Sequence, residues 1–252
     1  MSLLTVEHLS VKFGGIQAVD DVSFRVEPGE VLSIIGPNGA GKTTVFNLIS
    51  RIYDPTGGRI AFDGQDITAV APHAVAGLGI ARTFQNIELF DNATVLQNLL
   101  LGRHVHRRVN LWQELLFTPA VRRQEVAHRE QAERVIDLLE LQHHRDTLVH
   151  NLPYGARKVV EVARALCTEP KLLLMDEPSS GLNVEETEDM AFWIEDIKKQ
   201  LGVTVIMVEH DMKLVSEVSD RVLVLNNGRV LAEGGVREMQ SDPRVIEAYF
   251  GK

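Results

Sequence analysis

Gly36-Pro37-Asn38-Gly39-Ala40-Gly41-Lys42-Thr43-Thr44 is the stretch on which the reading of this sequence turns. An apolar run, Val31-Leu32-Ser33-Ile34-Ile35, precedes it, and Val45-Phe46-Asn47-Leu48-Ile49 follows with helical spacing. Strand, glycine-rich loop and helix, in that order, is the context in which a G-x-x-x-x-G-K-[ST] pattern acquires a mechanism. The loop must curl around an anion with its N–H groups turned inward, and glycine at Gly36, Gly39 and Gly41 permits that backbone. The unpaired amides of the helix start and the positive end of its dipole add to the attraction. Lys42 is then placed to reach the β and γ phosphates, and the Thr43 hydroxyl to ligate Mg²⁺. A glycine-rich turn with a chance lysine is the bland alternative, and the flanking strand and helix weigh against it. The pattern predicts a chain that binds a nucleoside triphosphate.

The 252 residues suffice to bury a proper core, as one large domain or two small ones. A composition 44% hydrophobic and 24% charged is ordinary for a soluble globular protein. No apolar run approaches the ~18–20 residues that span a bilayer. Residues 1–7 lack the basic region and apolar core of a signal peptide. The single cysteine, Cys167, excludes an internal disulfide framework and fits a reducing cytoplasm. It reads as a small buried apolar residue. A net charge of −9 argues against a dedicated nucleic-acid binder, although a local basic patch can survive on an acidic protein.

Leu4 to Phe13 and Val19 to Val26 alternate apolar and polar positions as half-buried strands do, with Gly14-Gly15 and Glu27-Pro28-Gly29 as turns. Gly58 to Phe62 reads as a further strand ending at an Asp63-Gly64 turn. From about 86 to 151 the spacing becomes helical, notably in Val95 to Leu101 and Gln124 to Leu141. Arg103, Arg107, Arg108, Arg122, Arg123 and Arg129 make this insertion basic, which fits contact with a membrane surface or a partner but is read first as a solvated helix face. Val159 to Leu166 is helix-like and leads to Leu172-Leu173-Leu174-Met175-Asp176-Glu177. An amphipathic helix over Glu185 to Gln200 and a second buried strand, Val203 to Asp211, repeat strand, helix, strand as in a parallel sheet. Arg221 to Gly234 predicts two strands around Asn226-Asn227-Gly228, and Asp242 to Phe250 a helix with proline at its start.

An acid at the end of a buried strand near a phosphate loop can hold Mg²⁺, which suits Asp176. Glu177, one residue further, can reach a water in line with the γ phosphate as general base. An apolar run ending in two acids arises often by chance, and gains weight only beside the loop. His210, which ends the next strand after Glu209, can orient the attacking water, although a lone histidine is more often structural. His104, His106, His143 and His144 have no accompanying ligand cluster, which makes a metal site there improbable.

Taken together, these residues resemble the nucleotide-binding subunit of an ATP-binding cassette (ABC) transporter, nearly end to end. Gly36 to Thr43 resembles the Walker A loop and Leu172 to Glu177 the Walker B strand. Thr83-Phe84-Gln85 resembles the Q-loop, in which Gln85 would contact Mg²⁺ and water. Leu152-Pro153-Tyr154-Gly155 occupies the place of the signature sequence, Ser180-Gly181-Leu182-Asn183 that of the D-loop, and His210 that of the switch histidine. Phe13 falls where an aromatic ring stacks on adenine. The Leu-Pro-Tyr-Gly signature, the Arg82-Thr83-Phe84-Gln85 run and the Val245 to Gly251 tail are similar to ATPases of branched-chain amino acid uptake systems. Two departures stand out. Pro153, Tyr154 and Ala156 replace the usual serine, glycine and glutamine of the signature, and Asn183 replaces the D-loop acid. They bear on the site this chain completes for a partner, not on its own loop.

The resemblance implies an α/β fold with a P-loop NTPase core, a parallel sheet, an antiparallel β subdomain and an inserted α-helical subdomain at about 86–151. It implies one nucleotide-binding domain over residues 1–252, with ATP and Mg²⁺ as cofactors. The implied partners are transmembrane permease subunits, a second ATP-binding subunit in a homo- or heterodimer, and a solute-binding protein, with no nucleic acid. The implied place is peripheral, on the cytoplasmic side of the cell membrane. A soluble ABC ATPase acting on nucleic acid or ribosomes is the competing reading. Such proteins usually fuse two cassettes or insert long coiled coils, and this chain does neither. A P-loop kinase would need no signature or switch histidine.

Overall fold

In the computed structural model, which describes residues 2–107, 115 and 118–250, the apolar run before the loop is strand β3 (Val31–Ile35). It lies inside a six-stranded sheet with β6 (Ile80–Arg82), β7 (Leu172–Asp176), β8 (Thr204–Val208), β9 (Arg221–Asn226) and β10 (Arg229–Gly234). Their order is β10-β9-β3-β8-β7-β6, parallel throughout except for β10. Strand β8 therefore stands between the loop strand and the strand that carries Asp176. A second, antiparallel sheet has the order β2-β1-β4-β5, built from β1 (Leu4–Phe13), β2 (Ile16–Val26), β4 (Gly57–Phe62) and β5 (Gln65–Asp66).

Both faces of the parallel sheet are covered, which is why its strands read as unbroken apolar runs. Leu32, Ile34, Leu172, Leu174, Ile206 and Val208 point into one core, shared with the antiparallel sheet and helix α1 (Lys42–Ile49). The alternate residues Val31, Ile35, Leu173, Met175, Val205 and Met207 point into the other. That second core is closed by α3 (Val95–Gly102), α4 (Pro119–Leu138), α5 (Tyr154–Leu166) and α6 (Val184–Leu201). Three shorter helices complete the chain's later part, α7 (Met212–Val218), α8 (Val236–Ser241) and α9 (Pro243–Phe250), and α2 (Pro72–Leu78) precedes β6.

The turns follow from backbone chemistry. At Asn227-Gly228 both residues have positive φ (48° and 76°), the requirement of a two-residue hairpin. The same geometry recurs at Asp63-Gly64. Helix α3 starts one residue after Thr94, whose side chain accepts from the Gln97 amide while Gln97 reaches back to the Thr94 amide. The segment from Asn86 to Ala93 ahead of it holds no helix.

One part of the expected basic face is not solvated. Arg103 is buried, donates to the Cys167 carbonyl at 2.8 Å and pairs with Glu169 at 3.3 Å. Its position at the end of α3 turns it under α5 rather than out to water. Arg122, Arg123 and Arg129 are exposed on α4, and Arg108 lies outside the described residues.

Cys167 itself is fully buried, and burial pushes its thiol up to about 12. At pH 8 the reactive thiolate is then about 10⁻⁴ of the total. Ellman's reagent is expected to give no labelling of the native chain within minutes and full labelling after denaturation. Prompt reaction of the native protein would place this helix end at the surface.

Candidate active site

The C-terminal ends of β3, β7 and β8 bring three sets of polar residues to one edge of the sheet. From β3 the chain turns at once into the glycine loop. Gly36 has φ 152°, and a Cβ there would lie 2.1 Å from the Leu225 carbonyl oxygen on β9. Gly41, at φ 98°, presses likewise on the Ala18 carbonyl. No side chain fits at either place, so the loop lies directly against its neighbours. Lys42 opens α1 and is buried, its Nζ donating to the Gly36 and Pro37 carbonyls at 2.7 and 3.1 Å. Burial draws its pKa down, against the pull of Glu177 and Asp176.

Asn38 to Thr44 line a cleft of about 470 Å³ together with Glu177, His210, Gly228 and residues 16–18. In that cleft Glu177 has a constrained backbone. Its φ is +51°, a region that costs a non-glycine residue of order 1–3 kcal/mol and persists only when neighbours hold it. Those neighbours are present. The Glu177 amide donates to Val208 at 2.9 Å, and its carbonyl accepts from Ser180 N at 3.1 Å and from Lys158 Nζ at 2.7 Å. The twist turns its carboxylate toward Gln85 Nε2, 3.0 Å from Oε2, and His210 Nε2, 3.2 Å from Oε1.

Asp176 is buried and accepts from Arg82 at 3.0 Å through one oxygen. Arg82 also donates to Asn47 and Ser50, with the Phe46 and Phe84 rings within 6 Å. Burial raises the Asp176 pKa and lowers that of Arg82, each opposed by their mutual attraction. The second carboxylate oxygen, Oδ1, is buried without a partner among the described residues. An orphaned buried carboxylate oxygen is costly, and a hard cation beside it removes the cost. With the Thr43 hydroxyl on the adjoining helix start, the donor set is all oxygen and fits Mg²⁺. Few protein ligands suffice, because this ion keeps its waters and takes phosphate oxygens. Among the described residues no group of three or more histidine, cysteine, aspartate or glutamate side chains gathers to hold a metal.

The remaining expected residues lie elsewhere. Phe13 does not line the cleft. Its ring packs edge-on to Tyr53 with centroids 4.9 Å apart, while its hairpin partner Ile16 borders the loop, 74% exposed. Leu152, Pro153, Tyr154 and Gly155 sit at the start of α5 and do not reach this cleft. Pro153 is the N-cap, one position before the first helical residue. Ser180, Gly181 and Leu182 form a turn into α6, and Asn183 caps that helix in a reciprocal pair with Glu186. Asparagine caps as well as aspartate, so this departure leaves the helix start intact.

Three buried charged groups were not singled out in the sequence. Glu209 accepts from the Ser179, His210 and Asp211 amides, at 2.8, 2.6 and 3.2 Å, and so orients both His210 and the Ser180 turn. Glu161 on α5 accepts from the Phe84 amide at 3.1 Å, and burial raises its pKa. Lys158, one turn earlier, is the donor to Glu177. Glu209 had a signal, an acid directly before His210 at a strand end. Lys158 and Glu161 had none, because charges within an amphipathic helix normally face water.

Residues 19–180 match the family described as ABC transporter, and residues 229–252 the one described as branched-chain amino acid ATP-binding cassette transporter. Over 250 residues the chain is 42% identical to BraF of Pseudomonas aeruginosa, a high-affinity branched-chain amino acid transport ATP-binding protein. It is 40% identical to LivG of Escherichia coli, which bears the same description. Each alignment spans 99% of this chain and 98% of the relative. The fold is similar to crystal structures of an ATP-binding cassette from an ABC transporter, nucleotide-free (TM-score 0.86) and in its ADP conformation (TM-score 0.87). Both are 34% identical to this chain, with full coverage of both chains. A dimeric bacterial ABC transporter cassette matches at TM-score 0.77 and 25% identity, over 93% of this chain and 99% of that one. A phosphate-binding loop, an acid pair and a histidine held at one sheet edge, together with these likenesses, have one conclusion: the chain belongs to the ABC transporter family, as one of its ATP-binding cassettes.

Proposed function

We propose that this chain is the ATP-hydrolysing subunit of a membrane importer whose solute is a branched-chain amino acid or a close relative of one. The observation that carries the hydrolytic part is the Glu177 carboxylate, held by Gln85 and His210 at the mouth of the loop cleft. The solute class rests on the relatives' names and the match at residues 229–252.

In this reading Gly36 to Thr44 wrap the phosphates with backbone amides, and Lys42 exchanges its loop carbonyls for phosphate oxygens. Thr43, Asp176 and Gln85 would hold Mg²⁺, which would supply neutralisation of phosphate charge. Glu177 takes the proton from the attacking water, and His210 orients carboxylate and γ phosphate. Adenine stacks at the exposed Phe13–Ile16 end of the first hairpin. The first-turn amides of α5 carry no side-chain cap, which leaves them available for the γ phosphate held by a second ATP-binding subunit.

Permease subunits are the remaining partners of the proposal, with a solute-binding protein outside the membrane. No described helix is long and apolar enough to cross a membrane, and in this reading the permease subunits supply the translocation path. A groove of about 440 Å³ beside the Gln85 segment, lined by Ile52, Val75, Phe84, Leu101 and Val105, supports docking of a permease from the cytoplasmic side.

Two substitutions separate binding from chemistry. Lys42→Ala removes a charge-assisted hydrogen bond of roughly 1.5–3 kcal/mol and is expected to weaken ATP binding about tenfold or more in a titration. Unchanged affinity would overturn the loop assignment. Glu177→Gln is expected to keep ATP bound while slowing turnover by a factor on the order of 10²–10⁴. It should also accumulate an ATP-bound dimer on size exclusion. Turnover near that of the parent chain would move the base to another residue.

A further inference from the structure

Tyr154 stands where the family has a glycine, and its surroundings give it a place. Its ring lies over Gly181, where a Cβ would come within 2.7 Å of the ring edge, and Gly181 has φ +80°. One helical turn on, Lys158 Nζ lies 6.0 Å from the centre of the same ring. Lys158 is only 4% exposed, makes no ion pair among the described residues, and donates to the Glu177 carbonyl at 2.7 Å. That carbonyl is one of the groups holding Glu177 in its left-handed twist, and it also accepts from Ser180 at the head of the Gly181 turn. A buried ammonium is costly, and methionine would fill the same space without the charge. Burial indeed lowers the Lys158 pKa, although Glu161 and Glu209 counter it.

We propose that Tyr154 and Lys158 form a link by which the signature loop sets the conformation of Glu177, with Lys158 as a positioning residue for hydrolysis. The inference rests on the function proposed above, in which the α5 amides meet the γ phosphate held by a second ATP-binding subunit. Tyr154 is half exposed at the start of α5, on the surface that meets the partner subunit's nucleotide in that reading. A phosphate drawn onto the α5 amides orders this loop, and the ring transmits that order two ways. One route runs through Lys158 to the Glu177 carbonyl, the other through Gly181 to the Ser180 amide bonded to the same carbonyl. The two nucleotide sites of a dimer are thereby coupled inside one chain. The tyrosine and the bare glycine are complementary parts of one contact, not a damaged signature.

The test compares Lys158→Met and Lys158→Arg with the parent chain. Methionine is expected to lower kcat about tenfold or more while ATP affinity and melting temperature stay near the parent's, and arginine to restore most of the rate. A readout free of turnover is amide hydrogen exchange in the nucleotide-free chain. Exchange at Glu177 and Ser180 should rise in Lys158→Met and stay protected in Lys158→Arg. An inactive parent would count against the ATPase reading, while the exchange measurement would still decide the link. Unchanged exchange at Glu177 and Ser180 overturns the proposal. So does a loss of kcat matched by equal losses in ATP affinity and melting temperature, because that pattern is general loosening.

Discussion

A sheet buried on both faces has no room for a charge except at its ends, and that constraint organises this molecule. Five parallel strands alternate their side chains into two apolar cores, so Asp176, Glu177, Glu209 and His210 occur only where strands stop. The glycine loop begins where β3 stops, and Arg82 ends β6 on the same edge. Ligand sites of parallel α/β sheets sit at these carboxyl ends for the same reason. Here the edge gathers acids and bases closely enough that each depends on the next. Arg82 satisfies one Asp176 oxygen, and Glu209 satisfies the backbone that presents His210.

Much of this was legible in the sequence, and the failures have a physical pattern. The loop, the acid pair and His210 were readable because each is a short local run whose neighbours confirm its context. The hairpins at Asp63-Gly64 and Asn227-Gly228 were readable because only a few residues tolerate positive φ. Strand β6 and helix α2 escaped because three and seven residues are too few for a period to emerge. Arg103, Lys158 and Glu161 escaped for a different reason. Whether a charge on a helix is buried depends on what packs against it, and that is settled by residues tens to a hundred positions away.

The expected signature and the observed one differ in chemistry more than in architecture. Pro153 keeps the place of a helix cap without a side-chain acceptor, and the α5 amides stay uncapped beneath it. Gly155 is close-packed for a separate reason. A side chain there would collide with Glu186, which is engaged in capping α6. The two helix starts are thus packed against each other, and a side chain at Gly155 would have to displace the Glu186 carboxylate from its cap.

The pairing of β3 has a consequence for how the chain is made. Its hydrogen-bonded neighbours on both sides, β8 and β9, are encoded far downstream, and the Val31 amide is met by Asp220, 189 positions later. A ribosome adding 5–20 residues per second needs roughly 10–40 s to cover that distance. During that interval the antiparallel sheet can pair β1, β2 and β4 from the first sixty or so residues. The apolar strand β3 meanwhile waits unpartnered beside its loop. The nucleotide site therefore cannot exist on a nascent chain until the last strands have emerged, because its cleft is lined by Glu177, His210 and Gly228 as well as by the loop.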